Sequence, residues 1–341
     1  MDFTTRVGWN SVRIFVIAKD AGYTLCNIPE IFSPKDRMKI DSECPSCIER
    51  MVRQTVDMAT DDAECREVAL AEAFETMHKA LSPDKVPTQV AGEIQRVIRL
   101  VTGNRDPHRK WKDREMGGAK EIFAKVRPRY GNEIRSLVTL SAIGNALDFF
   151  RDIGTVEHEM LRPVSYRVDH INNVTEFLEG ARSTLFMSDE SMDNLMCFVP
   201  SVNLCMKRVM VLADNAGECY FDQPLVKELS QVMGVTYVVK SSPVQNDLTE
   251  EDLLLSGLYE SMGARIVTSA DTAGTDMSLV SPSFRSDFES SDMIIAKGMG
   301  NWETLSELPA REKVFHLLSA KCPPVARSMG VPVGSYVAML R

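Results

Sequence analysis

Four short polar clusters in this chain carry residue types suited to metal-assisted chemistry. Asp214-Asn215 sets a carboxylate beside an amide, directly after the apolar run Val209-Met210-Val211-Leu212-Ala213. Asn246 and Asp247 follow the run Tyr237-Val238-Val239 and the loop Lys240-Ser241-Ser242-Pro243. Thr268, Ser269, Asp271 and Thr272 follow the apolar run at 264–268, and Lys297-Gly298-Met299-Gly300-Asn301 follows Met293–Ala296. Two acids and an amide oxygen are hard donors that suit Mg²⁺ or Mn²⁺. A lysine beside Gly-x-Gly at a helix start suits a phosphate group. Together they fit metal-assisted phosphoryl transfer to water. Each cluster by itself also has an ordinary reading. Asp-Asn after a strand is a turn or helix cap, Asp247 is a turn residue before a cap at Thr249, and the glycines relieve backbone strain. A lone lysine is a solvated side chain.

Their positions decide between these readings. In an open parallel sheet, ligands bind outside the carboxyl ends of the strands, and all four clusters sit at such ends. The strands are expected at Val209–Ala213, Tyr237–Val239, 264–268, Met293–Ala296, Val314–Leu318 and Tyr336–Leu340. Helices alternate with them: one capped by Asp222 with Leu225, Leu229, Val232 and Met233 at helical spacing, one opened by a capping box at Thr249-Glu250-Glu251-Asp252 and running to about 259, one capped by Asn301 and ended by Pro309, and one at 323–329. Strand–helix–strand alternation predicts an α/β fold with a largely parallel sheet between helical layers, a three-layer α/β/α sandwich over 206–341.

The preceding stretch, 38–205, reads as a helical domain. Cys44-Pro45-Ser46-Cys47 opens a helix, with Pro45 at the first helical position and a stripe of Ile48, Met51, Val52, Val56 and Met58. Further helices are expected at about 62–81, after Pro87 with Gly103 as its stop, at 114–126, at 132–150, and around 173–181 and 190–198. Residues 1–37 hold no sustained period and read as an extension, with Met38 as an alternative start.

Composition narrows the function classes. With 341 residues the chain is long enough for a well-buried core, and its net charge of −9 argues against nucleic acid as the main partner. No apolar run approaches the ~18–20 residues of a membrane span. The run Ile14–Ala18 is too short for a signal-peptide core, so a cytoplasmic address is expected, with the eight cysteines as thiols or metal ligands.

The motifs also resemble those of a known family. Leu212-Ala213-Asp214-Asn215-Ala216-Gly217-Glu218, Ser242-Pro243-Val244-Gln245-Asn246-Asp247 and Lys297-Gly298-Met299-Gly300-Asn301-Trp302-Glu303-Thr304-Leu305 resemble the damage-control phosphatases, the domain-of-unknown-function 89 family. Gly144-Asn145-Ala146-Leu147-Asp148 resembles its Gly-Asn-x-x-Asp helix motif, and Asn104-Arg105-Asp106-Pro107 its Asp-Pro turn before a lysine-bearing helix. Cys44-Pro45-Ser46-Cys47 is similar to the microbial subfamily's Cys-x-x-Cys, and the segment from Lys321 to Ala326 also matches. The resemblance runs from about Met38 to the C-terminus. It implies a divalent-metal-dependent phosphatase (Mn, Mg, Co or Ni) acting on small phosphorylated metabolites, either sugar phosphates or damaged phospho-cofactors. It implies Asp214, Asn215 and Asp247 as metal ligands and Lys297 on the transferred phosphoryl group. Asn145 and Asp148 would line the pocket, and Ser241, Gly298, Gly300 and Asn301 would contribute to substrate binding. Two departures bear on the pocket: Ser241-Ser242 stands where glycine is common, and Met299 replaces a polar residue. Glu218 is expected to shape its loop rather than to ligate.

The expected chemistry is attack on phosphorus by metal-activated water, with Asp247 or Asp214 as base. A phosphoaspartyl route through Asp214 is the rival, although the Asp-x-Asp pattern of the haloacid dehalogenase-like enzymes is absent. An S-adenosylmethionine-dependent carboxyl methyltransferase is a second reading, since proteins similar to this family have been so described. The turn Asp214–Gly217 offers no Gly-x-Gly, which counts against it. A cysteine-based metal or redox module on Cys44 and Cys47 is a third, because a helix N-terminus acidifies a thiol. The candidate partners Cys65, Cys197, Cys205, Cys219 and Cys322 form no second close pair. His78, His108, His158, His170 and His316 are scattered, and His316 reads as structural.

Overall fold

The computed structural model describes residues 37–147, 207–309 and 313–341. Helices come first: α1 (Cys44–Ala59), α2 (Ala63–Ala80), α3 (Pro87–Thr102), α4 (Arg109–Val126) and α5 (Ile134–Gly144). The sheet region then alternates β1 (Arg208–Leu212), α6 (Cys219–Ser230), β2 (Gly234–Val239), α7 (Glu250–Ser256), β3 (Arg265–Thr268), α8 (Pro282–Ser290), β4 (Met293–Lys297), α9 (Gly298–Leu305), β5 (Val314–Ser319), α10 (Pro323–Met329) and β6 (Tyr336–Leu340). The boundary expected at 205/206, the helices expected near 173–181 and 190–198, and Asp148 lie outside the described residues.

The sheet order is β3-β2-β1-β4-β5-β6. The first five strands are parallel, and β6 closes the edge antiparallel to β5. Strands that pair without hairpins need helical crossovers, which is why both faces are covered. On one face Val211, Tyr237, Ile295 and Phe315 meet the apolar sides of α4, α5 and α6. On the other, Met210, Leu212, Ile294 and Ala296 meet Phe284 and Phe288 of α8 and Leu305 of α9. The three layers expected from the sequence are therefore present. α1, α2 and α3 bury a separate apolar seam among themselves.

The chain winds from β1 outward to β3, then returns to place β4 on the other side of β1. The loops after β1 and β4 therefore leave the sheet in opposite directions and open a crevice between them, the switch point of an open α/β sheet. α3 packs over this edge. Thr88 N–H donates to Glu303 at 3.1 Å, Gln89 to Asp276 at 2.8 Å, and Arg99 to the Pro243 carbonyl at 2.8 Å.

Several local expectations change. α6 begins after a 3₁₀ turn at Ala216–Glu218, so Asp222 lies in its first turn and not at its cap. α9 begins straight from β4 with Lys297 at its N-cap, so Asn301 lies inside the helix. α7 stops at Ser256 because Gly257 is left-handed, at φ +76°. Its capping box is present as expected, with Thr249 and Asp252 bonded reciprocally. α8 was not anticipated, although Ser281 caps it through the Phe284 N–H and Phe284 and Phe288 stand one turn apart.

Candidate active site

The loops after β1 and β2 are stitched into one platform. Leu248 N–H donates to the Asp214 carbonyl and Ala216 N–H to the Asn246 carbonyl, both at 2.8 Å. Between them Asn215 and Asp247 form an antiparallel bridge. Asp247 is thereby a neighbour of Asp214 and Asn215, from which it is more than thirty positions away in sequence. Gln245, immediately before Asn246-Asp247, holds φ at +47°, the one non-glycine residue with positive φ among the described residues. Backbone strain of this kind persists only where surrounding contacts impose it. Here they are the Asp247 N–H on the Val244 carbonyl at 3.0 Å and Arg99 on Pro243.

Glycine is required where β4 meets this platform. Gly298 sits at φ +76°, and a Cβ there would lie 1.8 Å from Asp214 Oδ2. The carboxylate thus occupies the space a side chain would fill. A second close approach brings in the loop after β3, since a Cβ on Gly274 would lie 2.1 Å from the Gly300 carbonyl oxygen. Gly300 therefore supports this packing.

The electrostatics of the platform are uneven. Burial pushes the Asp214 carboxyl well above the usual range, Glu218 and Asp247 add to the rise, and Lys321 and Lys240 oppose it. Burial raises Asp247 to about 6 against the pull of Lys240, whose Nζ lies 3.5 Å from Oδ2. That oxygen is buried with no hydrogen-bond partner. Asn215 donates through Nδ2 to the Leu147 carbonyl at 2.9 Å and to Glu218 Oε1 at 2.7 Å. Both neighbours are acceptors, which fixes the amide's orientation and leaves Oδ1 as its oxygen donor to a cation. Two carboxylates with raised proton affinity, one orphaned buried oxygen and an oriented amide oxygen fit a hard divalent cation. Among the described residues no group of three or more His, Cys, Asp or Glu is arranged to hold a metal. This set has two carboxylates and an amide, and so is not such a group.

Lys297 faces elsewhere. It is fully buried, and its Nζ lies 2.8 Å from Glu218 Oε2 and 2.6 Å from Asp222 Oδ1. Burial works against its charge, but Asp222 and Glu218 outweigh burial and hold it protonated above its ordinary value. Asp222 also accepts from Ser141 at 2.5 Å and from the Tyr237 hydroxyl at 3.0 Å. Lys297 is thus enclosed by two carboxylates, the surroundings of a structural cation. Glu218 does more than shape a loop. It is fully buried and accepts from Asn145 at 2.6 Å, Asn215 and Lys297, joining the interior lysine to the platform.

Asn145 is a hub of this network. It is fully buried, donates to Asp214 Oδ2 at 3.0 Å and to Glu218, and accepts from Ser319 N–H at 2.8 Å. Asn301, also fully buried, donates to the Lys297 carbonyl at 2.7 Å and accepts from Thr275 at 2.8 Å. Ser241 is exposed on the loop after β2.

Sequence reasoning missed the braces behind these loops. Glu115 on α4 accepts from Gly217 N–H at 3.3 Å and from Asn246 at 3.0 Å. Fully buried Lys112, one turn earlier, pairs with Asp106 at 2.7 Å and Asp252 at 3.0 Å. Lys240 donates to the Gly274 carbonyl at 2.5 Å, tying the loop after β2 to the loop after β3. Starting α4 at residue 114 hid part of this. The helix begins at Arg109, and with that start Lys112 and Glu115 share a face.

Cys44 and Cys47 do open a helix, but Cys44 is not acidified. Burial pushes its thiol up, while its Sγ accepts from the Asp41 N–H at 3.3 Å. Burial likewise pushes Cys322 up to about 12.

Comparison with known proteins agrees with this architecture. Residues 40–337 match the model of the damage-control phosphatase ARMT1-like domain. The chain is 30% identical to the damage-control phosphatase PH1575 of Pyrococcus horikoshii over 89% of its own length and 98% of that protein. It is 28% identical to a damage-control phosphatase of Archaeoglobus fulgidus, covering 88% of this chain and 99% of the relative. A crystal structure of the DUF89 family protein from P. horikoshii superposes with a TM-score of 0.73 at 29% identity, over 89% of this chain and 99% of that one. With a family match spanning most of its length and the motif residues converging at one switch point, this chain belongs to the damage-control phosphatase ARMT1-like domain family.

Proposed function

We propose that this chain is a divalent-metal-dependent phosphatase that hydrolyses small phosphorylated metabolites, sugar phosphates or damaged phospho-cofactors, in the cytoplasm. The observation that carries the reading is the arrangement in the switch-point crevice: Asp214 and Asp247 are buried together, one oxygen of Asp247 has no hydrogen bond, and an amide oxygen aimed by its own hydrogen bonds stands beside them. Asp214, Asn215 Oδ1 and Asp247 would hold the cation. When bound, it supplies Lewis-acid charge for the developing phosphoryl oxygens and acidifies water.

The chain's own groups do the remaining work. Lys240 and Lys321 are the cations that act on Asp214, and they take the phosphoryl oxygens in place of Lys297. Gly298 lets the backbone close against Asp214, so the carboxylate cannot swing away. Asn145 fixes Asp214 Oδ2 from behind. Asp247 receives a proton from attacking water.

The test is a phosphate-release screen over phosphorylated sugars and cofactors with Mn²⁺, Mg²⁺, Co²⁺ and Ni²⁺. Release that needs a divalent ion and disappears in Asp214→Ala is the expected result. No release with any metal, or methyl transfer from a labelled donor, overturns the reading. Acid-stable phosphoenzyme in a rapid quench would replace the water route by an aspartyl-phosphate route.

A further inference from the structure

A second cavity, of about 110 Å³, lies at the far end of β5 from Ser319. It sits on the face of the sheet covered by α8 and α9, with Phe288, Leu305 and Leu308 as its apolar wall. His316 lines it too. Along β5 the side chains alternate, so Phe315 and Leu317 enter the core beneath α5 and α6 while His316 turns to the opposite face.

His316 is 1% exposed, and neither Nδ1 nor Nε2 has a hydrogen-bond partner. Its ring packs edge-on against Trp302, with centroids 4.8 Å apart at 83°. Burial, with Arg341 adding to it, pushes its pKa down to about 3, so the ring is neutral. A neutral imidazole presents one N–H donor and one lone pair. A buried ring with both unused is open to a hydrogen-bonding partner. Three cationic residues, Arg285, Lys313 and Arg341, and one acidic residue, Glu289, also line the cavity. Lys313 is steered there by the Phe288 carbonyl at 3.1 Å, and Arg341 by the Leu305 carbonyl at 3.3 Å. Arg285 is held by the Met277 carbonyl.

We propose that this cavity binds a small hydroxycarboxylate. Its hydroxyl donates to the lone-pair nitrogen of the neutral His316 ring, its carboxylate meets the guanidinium groups, and its few carbons lie on the Phe288–Leu305–Leu308 wall. The volume sets the size. An apolar cavity of about 150 Å³ accepts benzene, so the ligand here is a short-chain acid. A planar carboxylate is the group that guanidinium forks recognise. The site is separate from the phosphatase crevice. α9 is the element they share, with Gly298 at one end against Asp214 and Leu305 at the other against the cavity.

The experiment is a ¹⁵N–¹H NMR titration of the full chain with glycolate, lactate and glycerate, read at the His316 ring. Acetate lacks the hydroxyl and propane-1,2-diol lacks the carboxylate, so these serve as the contrasting probes. With five histidines in the chain, the signal lost in His316→Phe identifies the ring. Saturable shifts of both ring nitrogens by at least one hydroxyacid are expected, with binding at least about tenfold weaker for acetate and the diol. Leu308→Trp fills the cavity while leaving His316 in place. It abolishes the shifts on this proposal, and it keeps the test decisive if His316→Phe does not fold. Ring signals that stay fixed up to about 50 mM ligand, or that move equally in Leu308→Trp, overturn it. So does a crystal grown with glycerate that shows only water at both nitrogens.

Discussion

Two polar clusters share the carboxyl edge of the sheet, and they differ in how completely their charges are met. Around Lys297, one ammonium is enclosed by Glu218 and Asp222, and the carboxylates are bonded in turn by Asn145, Asn215, Ser141 and Tyr237. Around Asp214 and Asp247, like charges face each other and one buried oxygen has no hydrogen bond. The two clusters touch through Glu218 and Asn145. A satisfied network fixes geometry, whereas an unsatisfied one stores affinity for a ligand that has yet to arrive. The first is therefore the scaffold, and the second is where catalysis belongs.

The sharpest way to separate them is Asp247→Ala. It should reduce metal-dependent phosphate release about 10⁴-fold, equivalent to ~5.5 kcal/mol of barrier. The melting temperature should change little, because the carboxylate removed has Lys240 at 3.5 Å but one oxygen without a hydrogen bond. Calorimetric Mn²⁺ titration should show the matching loss of affinity. Lys297→Met should do the reverse. Two buried carboxylates lose their counter-ion, and denaturant unfolding should show a loss of roughly 3–5 kcal/mol. A stably folded Lys297→Met protein that has lost only activity would collapse the distinction and return Lys297 to the phosphoryl group.

Gly298→Ala probes the seam between the clusters. Its Cβ would enter the space of Asp214 Oδ2 from a left-handed backbone. A loss of roughly 2–4 kcal/mol is expected by chemical denaturation, with activity lost in the protein that remains folded. Glu303 serves as a control, being a buried carboxylate outside both clusters. It accepts one backbone N–H, from Thr88 at 3.1 Å, and burial raises its pKa to about 7. A raised folded pKa means that its contribution is fully present below about pH 4.5 and is lost as pH rises through 7. Glu303→Gln should therefore be more stable than the parent by ~3 kcal/mol at pH 8 and close to it at pH 4.5 in thermal melts. Equal stability at both pH values would show that the glutamate is ionised in the fold at no cost.

How much of this could be read from the chain follows from the range of each interaction. Asp214 and Lys297 each close an apolar run and Asp247 follows one after a short loop, so strand ends and their polar residues were visible locally. The roles of Lys297 and Asn145 were not, because a side chain's partners depend on which helix packs behind it. Glu115 shows this most clearly. The groups it holds lie 102 and 131 positions further on, and no local pattern announces them. Asp222 was mistaken for a cap because a 3₁₀ turn moved the helix start upstream by a few residues. His316 was correctly read as part of a strand, but its unused nitrogens are a property of the cavity beside it and leave no trace in sequence.

The contact between Gly298 and Asp214 also bears on how the molecule assembles. β1 and β4 are neighbours in the sheet, yet the chain between them makes two outward crossovers and a long return. Pairing so remote in sequence closes late, after nearer contacts have reduced the loop to be ordered. Until β4 docks, Asp214 lacks the wall that confines it. Lys297 arrives on that same strand, one residue before the glycine. The step that confines Asp214 thus also delivers the cation that neutralises Glu218 and Asp222.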